Sequence, residues 1–147
     1  MDKINFQNRP STATPINASN LNLLQTNTEN AINASIEIEE AIPSDYITIS
    51  NSYTLASGSP KAYKIGNIVF YSFDITDGSI NAGETQLGTC TNKILTNLQG
   101  IAKVMEAYPS TVSAAGSLTA NPSGSFMLNT NLSGSRATGT IILLINE

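Results

Sequence analysis

The sequence predicts a mainly β protein that starts with an extended segment, continues as one long helix and ends in an antiparallel β-sandwich or jelly-roll head. Charged residues make up only 12% of the 147-residue chain. The surface must therefore depend on Ser, Thr and Asn, which suit turns better than helix interiors. A seven-residue apolar rhythm ends at Pro43, and beyond residue 45 short β-branched and aromatic runs alternate with turn signals.

Residues 1–16 are expected to be extended and irregular. Pro10 and Pro15 fix their own φ angles and push the preceding residues away from the helical region. The segment contains no periodic apolar pattern that could build a core of its own.

A helix over residues 17–42 is predicted next. Asn17 is a favourable N-cap, and Ile16 and Leu21 occupy the positions of a hydrophobic staple. At 1.5 Å per residue this helix would be about 37 Å long. Its heptad positions are Leu21, Leu24, Thr28, Ala31, Ser35, Ile38 and Ile42.

This rhythm favours a short parallel coiled coil, most simply a trimer, in which Thr28 and Ser35 fix the register at some cost in stability. The alternative is a single amphipathic helix that packs on the β domain of its own chain. Both interpretations stay open at the level of the sequence.

Residues 45–147 are predicted to form the β head. The predicted strands are residues 46–49, 52–55, 62–65, 68–75, 101–105 and 140–145. Turn signals separate them at residues 57–60, 66–67, 77–78, 82–83, 121–124 and 133–134. The uninterrupted apolar run at 140–145 suits the centre of the sheet, where it would tie the chain end into the core.

Composition argues against several functional classes. The net charge is −4, so the basic surface that a nucleic-acid partner needs is missing. The longest apolar run, residues 141–145, is far shorter than the ~20 residues of a membrane helix. We therefore expect neither nucleic-acid binding nor membrane insertion, and the N-terminal residues do not resemble a secretory signal peptide.

Catalysis is not expected either. The chain has no histidine, the most common general base and metal ligand. Asp74, Asp77 and Glu84 could supply a glycosidase-like carboxylate pair, but Asp77 is followed by Gly78 and is better interpreted as part of a hairpin turn. The single cysteine, Cys90, is expected to be a buried small hydrophobic residue. The sequence thus predicts a non-enzymatic module without a cofactor or metal.

The N-terminal stretch INFQNRPSTATPINASNLNLLQTNTENAI (residues 4–32) resembles the N-terminal signature of tail-fibre, baseplate and receptor-binding proteins from phages and prophages of Gram-positive bacteria. The densest part of the match is TPINASNLNLLQ, residues 14–25. AYKIGNIVFYSFDIT (residues 62–76) is similar to a strand pair of phage head domains, although Lys64 stands where that pattern has arginine. An LGT turn follows at residues 87–89.

The resemblance implies a homotrimer located in the virion, made in the bacterial cytoplasm, with three helices bundled and three heads packed about one axis. It also implies that the leader binds other virion proteins. The leader residues that would anchor it are Ile4, Phe6, Pro10, Pro15 and Ile16.

A head of this kind could adhere to a cell-wall glycan or teichoic acid. The candidate contacts are Tyr53, Tyr63 and Tyr108, because aromatic faces suit sugars. For each tyrosine taken alone, the favoured interpretation is an ordinary strand or core residue. A capsid-attached head fibre or decoration protein is the alternative function. A polysaccharide depolymerase is a second alternative that the missing histidine disfavours.

Overall fold

A computed structural model describes residues 18–36, 38–106 and 112–146. The chain divides into two compact units, one containing the helix and one, beginning at Ile38, containing the strands. The elements are α1 (Ala18–Ile36), β1 (Glu39–Ala41), a 3-10 turn (Pro43–Asp45), β2 (Ile47–Ile49), β3 (Thr54–Leu55), β4 (Lys61–Ile65), β5 (Ile68–Asp77), β6 (Gly83–Cys90), β7 (Ile94–Met105), β8 (Ser113–Ala120), β9 (Ser125–Thr130) and β10 (Arg136–Ile145).

The helix is shorter than predicted. It ends at Ile36 rather than at residue 42, which makes it about 28 Å long rather than about 37 Å. Residues 39–41 instead pair with β4, with Glu40 opposite Tyr63, because backbone hydrogen bonds of the sheet replace those of another helical turn. Ile38 and Ile42 therefore lie outside the helix, and the head begins before the predicted residue 45.

The prediction of a mainly β, antiparallel head is confirmed. All strand pairs are antiparallel, in the order β1-β4-β5-β10-β7-β8-β9-β6-β2, and β3 adds a short pairing with β5. Strand β10 lies between β5 and β7, so the predicted central position of residues 140–145 is correct. The two layers of the head belong to one continuous curled sheet, whereas the predicted β-sandwich or jelly roll would have two separate sheets.

The sheet curls at β8. The first half of β8 pairs with β7, and its second half pairs with β9. Where β8 leaves β7, the side-chain oxygen of Asn97 accepts a hydrogen bond from the backbone N–H of Ala120 at 3.3 Å. The first layer is thus β1-β4-β5-β10-β7, and the second is β8-β9-β6-β2.

One hydrophobic core fills the space between the layers. Alternate side chains of β5 and β10 point inward and are buried, among them Tyr71, Phe73 and Leu143. Phe126 of β9 meets Tyr71 and Phe73 edge to face, with ring centroids 6.1 and 5.7 Å apart. The Tyr71 hydroxyl donates to the Ile47 carbonyl oxygen at 3.3 Å. These contacts join β5 of the first layer to β9 and β2 of the second.

Several predicted turns are present where expected, but the connection after Asp77 is not a hairpin. Strand β5 ends at Asp77, and the chain then crosses to β6, which is not a neighbour of β5 in the sheet. The hairpin expected at Asp77 and Gly78 is therefore wrong.

Candidate interaction surface

The carboxylates considered for catalysis are not assembled into a site. Asp74 and Asp77 lie on β5 and Glu84 lies on β6, and those strands are not adjacent in the sheet. Among the residues that the structure describes, no three acidic or cysteine side chains are grouped in a way that could hold a metal ion.

Cys90 is buried, as predicted. Its backbone N–H donates to the Gly124 carbonyl oxygen at 2.7 Å. Burial raises the pKa of its thiol to about 11, so the side chain is protonated at neutral pH and is a poor nucleophile. Burial likewise raises the pKa of Tyr71.

Tyr53 is half-buried and packs against the core. Its hydroxyl lies 3.2 Å from the carbonyl oxygen of Gln86 and 3.4 Å from that of Ser79. Its ring lies so close to Gly78 that a Cβ at that position would overlap it, and burial raises the pKa of Tyr53. This geometry favours the structural interpretation of Tyr53 over a ligand contact.

Tyr63 faces the solvent on the first layer. On the outside of that layer, cross-strand register aligns Tyr63 with Phe70, and Phe70 with Ile142. The next row aligns Ile68 with Leu144. Strand β7 interrupts these rows with polar residues, since Gln99 lies opposite Ile142 and Thr96 lies opposite Leu144. We call this surface the outer apolar face, and its members are Tyr63, Ile65, Ile68, Phe70, Leu95, Leu98, Ile101, Ile142 and Leu144.

Two bulges in β7 add leucines to the outer apolar face. The register with β10 slips once at Leu98 and once at Leu95, so neither residue has a direct partner on β10. Their neighbours Asn97 and Ile94 point toward the core side, which directs the leucines outward by alternation. Leu98 is 57% exposed and Ile101 is 62% exposed.

The outside of the first layer is polar at its other end. The row of Ile101 contains Thr140, Ser72 and Lys61, and the row beyond it contains Lys103, Thr138 and Asp74. An open hollow of about 290 Å³ lies at this polar end and includes Lys61, Asp74 and residues 56–59 in its lining. The face is therefore divided into an apolar half and a polar half.

A second open hollow, of about 400 Å³, lies on the second layer between β2 and β6. Hydroxyl and amide side chains dominate its lining, which consists of Thr48, Ile49, Ser50, Asn51, Gln86, Gly88 and Thr89. A Cβ at Gly88 would overlap the Thr48 carbonyl oxygen, so glycine permits the close approach of β2. Such a lining can offer hydrogen bonds to a polyol without adding charge.

The helix also exposes apolar side chains. Leu24, one of the predicted heptad positions, is 63% exposed. The heptad residues Thr28 and Ala31 are exposed as well, whereas Leu21 is half-buried. The Thr28 hydroxyl donates to the Leu24 carbonyl oxygen at 2.8 Å, a bond within the helix itself. Ser35 lies in α1, but its side chain is outside the described part. Within the described residues, no helix is long and apolar enough to cross a membrane.

The sequence did not reveal the outer apolar face as a unit. Of its nine members, only Tyr63 was a candidate site residue. The apolar character of consecutive residues at 68–70 and 141–145 could have revealed four others, Ile68, Phe70, Ile142 and Leu144, whereas Ile65, Leu95, Leu98 and Ile101 lie outside those runs. Tyr108 and the leader residues Ile4, Phe6, Pro10, Pro15 and Ile16 lie outside the described residues.

We found no match for the chain among protein-family models, curated proteins or solved structures.

Proposed function

We propose that the chain is a structural protein of a phage virion: a homotrimeric fibre or baseplate component with a β head that adheres to the host surface. In this proposal residues 1–16 bind another virion protein, the helices associate with copies of themselves, and the heads carry the adhesive surface. The sequence resemblance of residues 4–32 and 62–76 supplies the phage context.

The observation that supports the proposal best is an exposed apolar helix immediately before an antiparallel β head. Leu24 leaves more than half of its surface in water, and the helix ends only three residues before β1 begins. An isolated helix rich in Asn, Thr and Ser is marginal in water, because these residues have low helix propensity and most helical stability in proteins comes from packing. Association with identical helices covers its apolar side chains and stabilises it.

Adhesion by such a head requires only a weak contact at each copy. Three linked copies convert a weak contact into a much stronger one when all three bind together. The hollow between β2 and β6 is the better candidate for a glycan or teichoic acid, because its lining offers neutral donors and acceptors such as Gln86 and Thr89.

The proposal is tested by locating the chain in intact particles. Gold-labelled antibodies against the head should mark the fibre or baseplate of the tail in electron micrographs. Labelling of the capsid shell would instead support the alternative of a head fibre or decoration protein. Absence from purified particles would refute both virion functions.

Deleting residues 1–16 tests the anchoring role. We expect the shortened chain to fold and associate as before, but to be missing from assembled particles. Normal incorporation would show that the leader is not the anchor.

The enzymatic alternative has its own test. Incubation of the chain with host wall polymer should release no oligosaccharide if the head only adheres. Release that increases with time and protein concentration would establish a depolymerase.

A further inference from the structure

We propose that the outer apolar face is the surface through which the heads of identical chains pack together. The partner is a second copy of this chain, and the inference deepens the proposed function by naming the part of the head that forms the homotrimer. The inference rests on the proposed function, because it requires the homotrimer proposed there.

The outer apolar face is large. Its six exposed members leave 36 to 62% of their surface in water. At roughly 200 Å² for a large apolar side chain they contribute about 560 Å², and the three half-buried members raise the total to on the order of 700 Å². The largest apolar patch of a typical monomer is about 300 to 600 Å². A stable interface covers about 800 Å² on each partner. The face therefore has the size of one side of a stable interface.

The outsides of the two layers differ. Outward positions of the second layer are mostly polar, among them Thr48, Thr89, Thr119 and Asn129, with the half-buried Met127 as an apolar exception. This is the usual pattern for an antiparallel sheet with one face in water. In the first layer, Ile141, Leu143 and Ile145 of β10 fill the core, while Ile142 and Leu144 on its other side are apolar too. Of the two layers, only the first therefore has a strand with large apolar side chains on both of its sides.

The charges at the borders of the face favour a second copy of the chain. Glu40 shares the row of Tyr63 at one edge. The border at the polar end carries Lys61 and Lys103 together with a single carboxylate, Asp74. A second copy presents the same two borders and can match each with its opposite. A lipid surface favours a cationic rim, which a chain of net charge −4 does not supply.

The proposed interface also changes the interpretation of Tyr63 as a ligand contact. If the outer apolar face is covered by a neighbouring head, the ring of Tyr63 lies inside the assembly and does not reach a receptor. The polar outside of the second layer, including the hollow between β2 and β6, stays accessible to a host ligand.

The test uses the full chain with Leu98→Lys and, separately, Ile101→Lys. Each places a charge in the interface, so we expect the concentration at which half of the trimer dissociates to rise at least tenfold. Thr119→Lys is the matched control, because Thr119 is an exposed strand residue on the second layer, and it should leave dissociation unchanged. Sedimentation over a dilution series measures the effect, and far-UV circular dichroism checks the fold.

A second measurement avoids the risk that a lysine disturbs folding. A thiol introduced by Leu98→Cys should react with a maleimide at least tenfold more slowly in the concentrated, associated state than after dilution. The thiol of Thr119→Cys should react equally in both states, and the native Cys90 is buried.

The outcomes separate this inference from the proposed function. Unchanged dissociation of both lysine variants, or a Leu98→Cys thiol that reacts equally in both states, would overturn the inference while a trimer held by the helices remained. Protection that appears only after another particle protein is added would assign the face to that protein and also overturn it. Protection in a chain that is absent from virions would keep the interface and refute the proposed function.

Discussion

Replacing Phe126 by alanine tests whether the curled sheet closes over a single core. Phe126 is completely buried on β9 and contacts the rings of Tyr71 and Phe73 on β5. Truncation of a buried phenylalanine costs about 3 to 5 kcal/mol. Because two edge-to-face pairs of about 0.5 to 1.5 kcal/mol each are lost with it, we expect the upper part of that range.

A loss of this size approaches the whole stability of a small domain, which is about 5 to 15 kcal/mol. Phe126→Leu is therefore the more informative variant, since it keeps most of the apolar volume and should cost about 1 to 2 kcal/mol. Urea unfolding followed by circular dichroism measures the free energy of unfolding of each variant. Protein concentration is held constant because association would itself contribute to stability.

Met127→Ala is the matched control. Met127 is the next residue on the same strand, points to the opposite side and is only half-buried, so its truncation should cost less than Phe126→Leu. If Phe126→Ala destabilises the chain no more than Met127→Ala, then β9 does not pack on β5 and the description of the core is incorrect.

Three further predictions concern other parts of the head. Gly88→Ala should displace β2, because the added Cβ overlaps the Thr48 carbonyl oxygen, and lower the free energy of unfolding by roughly 2 kcal/mol in urea. Between pH 9 and 11 the unfolded chain should lose the Cys90 proton before the native chain does. The free energy of unfolding should therefore fall, relative to that of Cys90→Ala, by up to about 1.4 kcal/mol per pH unit. Equal slopes of unfolding free energy against pH in the two proteins would contradict the buried thiol. The hydrogen bond from Lys93 to Asp45, at 2.8 Å, raises the pKa of Lys93, so Asp45→Asn should lower that pKa in an NMR titration. The stabilisation is present below the ordinary lysine pKa and lost as pH rises through the native value; because the pair is exposed, neutral-pH stability should hardly change.

Strands with strong intrinsic preference could be predicted from the sequence, whereas those made of small residues could not. Residues 68–75 and 140–145 contain β-branched and aromatic side chains and lie in β5 and β10 as expected. Strand β8 has the sequence SAAGSLTA, in which only Leu118 is a large apolar residue. Its strand conformation depends on its neighbours β7 and β9 rather than on local preference.

The end of the helix shows how tertiary pairing overrides a periodic pattern. Ile38 and Ile42 continue the heptad spacing of the helix, and Pro43 is a plausible stop signal. The intervening residues 39–41 pair with β4 instead, and both isoleucines lie exposed on either side of that strand. Spacing alone cannot show that an edge of the sheet is available to compete with the last turns of a helix.

Part of the outer apolar face could be predicted from the sequence. An apolar residue at every position of a strand means that both sides need cover. The run at residues 141–145 is predicted to lie at the centre of the sheet, which is correct, and within the strand-containing unit the second layer covers one of its two sides. The bulges at Leu95 and Leu98 depend on register with β10, which no local pattern specifies.

The molar mass of the full chain at micromolar concentration tests the central claim, self-association into a trimer, most directly. Light scattering after size-exclusion chromatography should give three times the 15.5 kDa mass of one chain, decreasing on dilution. A mass of 15.5 kDa at every concentration would contradict both the homotrimer and the packing of heads through the outer apolar face.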